Sequence, residues 1–237
     1  VGGKIDPKKG SPIFENGYIE NRKTILAFPP TNEEIVYWGD PGHGGLTFEG
    51  RTCILLDGTQ LKIRNSKDGD ALKTYTIPSS GVIVVKDDNA NNVEGNVFIS
   101  GKLDGRLTVY ARGNIYITGK DPTNYNPTDK NIRKDDGILY SDRKIPTISN
   151  STGRNYSDDM LGIISEKDII IATKTWPCSV SRDNPKGYKK YNEKDVSVNN
   201  IDVYGALMTP NGKITVEDYD TITAKGTFTV YGSKIQN

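Results

Sequence analysis

Long apolar runs, helical periodicity, sulfur and an excess of either charge are all scarce in this chain. No stretch of 18 apolar residues occurs, so no transmembrane helix lies within it. No segment sustains a 3.6-residue apolar period, which argues against a helical fold. Lysine plus arginine (31) balance aspartate plus glutamate (30), for a net charge of +1. That balance carries no signature of a nucleic-acid surface or of an acidic substrate. The two cysteines, Cys53 and Cys178, are too few for a disulfide-stapled scaffold, and their spacing fits no metal motif. Two unpaired, partly buried thiols are the first reading, and one disulfide in an oxidising compartment is the second. A thiol nucleophile needs a paired histidine, and His43 is the only one. No G-x-S-x-G word, phosphate loop or zinc spacing is present. No secretory leader opens the chain, so an exported protein would be represented here in mature or trimmed form.

What is abundant is turn and strand material. Glycine (25) and tyrosine (13) are frequent, and asparagine recurs between apolar words. Four- to five-residue strands are expected at Cys53–Leu56, Gln60–Ile63, Val82–Val85, Val97–Ser100, Leu107–Tyr110 and Ile115–Thr118. More follow at Ile169–Ala172, Ile201–Tyr204, Ile214–Glu217 and Phe228–Tyr231, and the Leu-Gly-Ile-Ile word within Asp158–Ser165 also reads as strand. One word is written twice: Gly95-Asn96-Val97-Phe98-Ile99-Ser100-Gly101 and, 18 residues on, Gly113-Asn114-Ile115-Tyr116-Ile117-Thr118-Gly119. A fixed period favours a solenoid over a β-meander. It predicts Val97 stacked on Ile115, Ile99 on Ile117 and Asn96 beside Asn114. A later echo, Leu107–Ala111 against Phe228–Gly232, points the same way.

The expected fold is therefore all-β: a right-handed parallel β-helix spanning 31–237, with long insertions at about 120–159 and 173–196. Residues 1–30 carry little strand pattern and read as an N-terminal arm or cap. A solenoid needs its ends covered, because an open coil exposes unpaired strand edges.

The ordered words Gly81–Val85, Gly105–Val109, Gly113–Gly119, Ser157–Glu166, Ile201–Met208 and Gly226–Gln236 carry a resemblance. The series resembles a bacterial exported β-helix domain of unknown function, associated with PilX-like minor pilins and surface adhesins. It covers roughly residues 80–236. The resemblance implies a parallel β-helix displayed on the cell surface or a pilus, and it carries no catalytic residues. The chain departs from the pattern in lacking the amino-terminal pilin helix and in ending just after the last strand word.

Because β-helices include polysaccharide lyases and glycosidases, each candidate for chemistry has a bland counterpart. Gly42-His43-Gly44 matches one short word of polygalacturonase-type enzymes, but Gly45 extends it into a glycine-rich turn. Asp135-Asp136 and Asp158-Asp159 offer the carboxyl pair that glycoside hydrolysis needs. Neighbours on a strand point to opposite faces, so a corner role that accepts backbone N–H groups is preferred for Asp158-Asp159. Asp87–Asn92 supplies oxygen ligands without the spacing of a calcium loop, and a solvated turn is preferred there. The binding candidates are aromatic: Trp176, Tyr188 and Tyr191 in one polar loop, and Tyr125, Tyr140 and Tyr156 in another. Their faces can stack on sugar rings; alternatively they pin long loops to the solenoid wall. Lys186, Lys189, Lys190 and Lys194 make a local basic cluster.

Taken together, the expectation is a non-enzymatic extracellular module for adhesion or assembly, with Trp176, Tyr188 and Tyr191 as ligand-binding residues and no catalytic or metal residue. No cofactor is expected. The expected partners are a cell-surface or insoluble polysaccharide and pilus subunits, and nucleic acid is not favoured. The alternative is a polysaccharide-active β-helix enzyme.

Overall fold

A computed structural model describes residues 32–124, 137–142, 158–190, 200–218 and 227–236. From Glu33 onward the chain forms one compact unit; the expected arm at 1–30 lies outside the described residues. In chain order the elements are α1 (Glu33–Trp38), β1 (Leu46–Glu49), β2 (Thr52–Gly58), β3 (Gln60–Asn65), β4 (Lys73–Thr76), β5 (Val82–Lys86), β6 (Val97–Leu103), β7 (Arg106–Ala111) and β8 (Ile115–Ile117). They continue with β9 (Ile138–Tyr140), β10 (Met160–Ser165), β11 (Ile169–Ile171), β12 (Thr175–Pro177), β13 (Tyr188–Lys190), β14 (Ile201–Thr209), β15 (Ile214–Val216) and β16 (Phe228–Gln236).

The chain is a parallel β-helix. Successive coils stack in register and build three faces. Face A holds β1, β5, β7, β10 and the second halves of β14 and β16. Face B holds the first halves of β2 and β6, then β8, β11 and β15. Face C holds the second halves of β2 and β6, then β9 and the first halves of β14 and β16. Long strands serve two faces by bending. In β14 the bend falls at Gly205, whose φ is +149° and where a Cβ would stand 2.8 Å from the Leu161 carbonyl oxygen. Only glycine enters that space without strain.

The repeated word describes two adjacent rungs. Val97 pairs with Ile115, Phe98 with Tyr116 and Ile99 with Ile117, all parallel. The same corner recurs as Gly50-Arg51-Thr52, Gly95-Asn96-Val97, Gly113-Asn114-Ile115, Lys167-Asp168-Ile169 and Gly212-Lys213-Ile214. Inside face B, Val97, Ile99, Ile115, Ile117 and Ile169 are fully buried. Each such aliphatic side chain contributes about 1.5–3 kcal/mol by leaving water. A polar ladder runs beside this column: Asn96 Oδ1 accepts the Asn114 N–H (2.8 Å), Asn114 Oδ1 accepts that of Asp168 (3.0 Å), and Asp168 Oδ1 accepts that of Lys213 (2.9 Å). The corner donors that the turn takes out of the strand ladder are thereby satisfied.

Three expectations are corrected. The stretch 120–159 is not one insertion, because Ile138–Tyr140 returns to the core as β9, with Ile138 fully buried; a three-residue strand is too short to stand out between polar stretches. The echo between Leu107–Ala111 and Phe228–Gly232 joins different faces, since Leu107 belongs to face A and Phe228 pairs with Ile201 on face C. An alternating apolar word is the same on every face of a solenoid. Finally, β3 and β4 run antiparallel. They cover the free edge of β2, burying Leu61 and Ile63, and so close the first coil.

Candidate functional site

The outer face of face B carries the column Cys53, Phe98, Tyr116, Ile170 and Thr215. Outward apolar groups on a sheet need a cover. The antiparallel hairpin β12–β13 supplies it: Tyr188 lies over Phe98 and Tyr116, with ring centroids at 6.4 and 5.7 Å. Phe98 and Tyr116 stack at 4.6 Å with an 8° interplanar angle.

Beyond that contact the hairpin and the sheet part, leaving a groove of about 450 Å³. Its floor is Tyr116, Ile170 and Thr215, one residue from each of three successive rungs. One wall is Thr175, Tyr188 and Lys190 of the hairpin; the other is the corner pair Asp168 and Lys213. Rungs lie about 4.8 Å apart, so the floor runs about 10 Å along the solenoid axis. Burial and then the neighbouring Tyr188 push the Tyr116 phenol above its usual range, so its hydroxyl stays protonated.

Glu217 fixes the hairpin to the last rung. Its Oε2 accepts the backbone N–H groups of Thr173 (3.0 Å), Lys174 (3.0 Å) and Thr175 (2.9 Å), and its Oε1 accepts the Thr175 hydroxyl. The Glu217 carbonyl accepts the Thr173 hydroxyl at 3.1 Å. Burial alone would raise the carboxyl pKa, but the Thr175 hydroxyl and the three N–H groups outweigh it and hold the group below its usual range. Sequence reasoning missed Glu217 because its donors lie 42–44 residues away along the chain. The available signal was a carboxylate directly after the rung word Ile214–Val216, followed at once by Asp218.

The candidates read from sequence fall out as follows. Tyr188 lines the groove and is half-buried. Trp176 is 4 % exposed, so its ring packs into the protein rather than facing a ligand. Tyr191, Tyr125, Tyr156, Lys194 and the pair Asp135-Asp136 lie outside the described residues. Tyr140 is a core residue whose hydroxyl accepts the Leu161 N–H. Asp159 takes the corner role: Oδ1 accepts the Gly105 N–H at 2.7 Å and Oδ2 that of Ser141 at 3.2 Å. His43 ends a 3-10 turn, stacked on Tyr37 at 3.7 Å. In the Asp87–Asn92 turn, Asp88 accepts the Asn91 side chain at 2.7 Å and Asp87 accepts the Gly95 N–H at 2.6 Å. Both cysteines are free. Burial pushes the Cys53 thiol up to about 11, which leaves it protonated and un-nucleophilic at neutral pH.

A larger groove, about 620 Å³, runs over the outside of face A. Its floor is the column Thr108, Gly162, Ala206 and Ser233, with Met160 on the rim. It is broad and mainly apolar, whereas the face B groove brings aromatic, hydroxyl and charged groups together, as ligand sites do. Comparison of the chain with protein-family models, curated proteins and solved structures finds no match.

Proposed function

We propose that this chain is a non-enzymatic β-helix module that binds extended polysaccharide in the face B groove, displayed on the cell surface or a pilus. The observation that carries the binding reading is the groove itself. Tyr188 offers ring surface, while Thr215, Lys190 and Lys213 stand around it with hydrogen-bonding groups. A sugar polymer has the same alternation of C–H faces and hydroxyl edges. Surface or pilus display rests on the ordered words that resemble exported pilus-associated domains, and pilus subunits are the assembly partners that this reading brings.

A hydrolytic reading is less well supported. The buried carboxylates Asp159 and Glu217 are occupied by backbone N–H groups rather than aimed at a substrate position. The test is retention on insoluble polysaccharides, run beside assays for reducing sugar and unsaturated uronate. The wild type should be retained without turnover. Tyr188→Ala should weaken retention about fivefold or more, for a stacked ring worth about 1–3 kcal/mol. Turnover abolished by Asp159→Ala or His43→Ala would sink the proposal, as would retention on no polymer at all.

A further inference from the structure

The charged groups of the face B groove divide by what they face. All three carboxylates are engaged by the protein. Asp168 accepts the Lys213 N–H at 2.9 Å, Glu217 accepts three backbone N–H groups, and Asp218 pairs with Lys174 at 2.5 Å. The two ammonium groups are not withdrawn in this way. Lys190 has a side chain 57 % exposed and makes one long ion pair, to Glu217 Oε1 at 3.5 Å. Lys213 stands exposed on the opposite wall and forms no ion pair among the described residues. Two cations on opposite walls thus flank the groove beside the Tyr188 ring, while the carboxylates of the site are held by the protein's own donors.

We propose that the groove takes an anionic glycan, a polymer of carboxylated sugars, with Lys190 and Lys213 receiving carboxylates on its two sides and the half-buried Tyr188 receiving a ring face. The inference rests on the polysaccharide reading above and names the class of polymer. A neutral sugar laid in this groove would partly dehydrate both ammonium groups and bring neither a counter-charge, leaving Lys190 with Glu217 alone, which is unfavourable. A nucleic acid presents phosphates at closer spacing and draws on many cations; two lysines within a nearly neutral chain suit the sparser charge of a uronate polymer. The overall charge of +1 hides this preference because it is local.

The test compares gel retardation of the full chain by polygalacturonate, by its fully methyl-esterified form, by alginate and by single-stranded DNA. At least one uronate polymer should retard the protein, with an effect that falls as salt is raised. Esterification should weaken binding about fivefold or more, the scale of two partly exposed charge contacts. The variant Lys190→Gln/Lys213→Gln should bind the acid and ester forms equally, with an unchanged thermal transition. Lys102→Gln, an exposed lysine on face C, should behave as wild type. Equal binding of acid and ester by the wild type overturns the inference, as does a double variant that keeps the preference, or DNA binding tighter than glycan binding with the same lysine dependence. Retention on neutral insoluble polysaccharide alone would overturn the inference while leaving the polysaccharide reading standing; retention on no polymer would remove both.

Discussion

Replacing Glu217 by alanine should release the hairpin that forms one wall of the groove. Three backbone N–H groups and one hydroxyl lose their acceptor, and Thr173 and Thr175 are each only 1 % exposed. Hydrogen bonds to a charged group contribute about 1.5–3 kcal/mol each, but burying the carboxylate costs several kcal/mol. Removing one side of such a buried arrangement costs about 3–5 kcal/mol net. For a domain near 200 residues, that lowers the thermal midpoint by roughly 6–20 °C. If the loss is local, amide exchange at 173–175 should instead accelerate about a hundredfold or more. Glu217→Gln keeps an accepting oxygen without the charge and should fall between wild type and alanine. The sign with pH follows from the lowered carboxyl pKa. The contribution is complete above the ordinary value of 4.5 and is lost as pH falls through the lower folded-state value. Stability of the wild type should therefore drop more steeply than that of Glu217→Gln below pH 4.5. Calorimetry and hydrogen exchange measure both effects. A Glu217→Ala protein with an unchanged midpoint and unchanged exchange at 173–175 would refute the reasoning.

Three further outcomes are expected. Asn96→Ala removes the acceptor of the Asn114 N–H and should cost about 1–3 kcal/mol in urea unfolding; no loss would mean that the corner ladder is incidental. Trp176→Ala should cost about 3–5 kcal/mol as a buried truncation, read from the thermal midpoint; weakened polysaccharide retention with an unchanged midpoint would restore Trp176 as a ligand residue. Gly205→Ala places a Cβ 2.8 Å from the Leu161 carbonyl oxygen at a positive φ and should destabilise by about 1–3 kcal/mol, while an unaltered midpoint would mean that the β14 bend is not constrained there.

The sequence made the solenoid visible at one place, for a geometric reason. The corner words begin at Gly50, Gly95, Gly113, Lys167 and Gly212, which lie 45, 18, 54 and 45 residues apart. Only the coil from Gly95 to Gly113 is uninterrupted, so only there does the period show as near-identity. Elsewhere the β3–β4 hairpin, the segments around β9 and the β12–β13 hairpin lengthen the coil and hide the repeat. The candidate groove was legible in part. The loop 173–196 stood out by its aromatics and charges, and Tyr188 does line the groove. Trp176 is buried, as an aromatic in a polar loop is when it packs the loop down. Asp159 was read correctly as a corner acceptor, since its donor at Gly105 begins a neighbouring rung word. Glu217 was invisible, because its meaning depends on donors brought close only by stacking.

The most direct test of the face B groove as the binding surface is a hydrogen-exchange footprint of the protein saturated with a polysaccharide that retains it. Protection should appear at Tyr188–Lys190 and Lys213–Asp218, the two walls and the end of the groove. Protection confined to Met160–Gly162 and Ala206 on the outside of face A, with Tyr188–Lys190 unchanged, would contradict it.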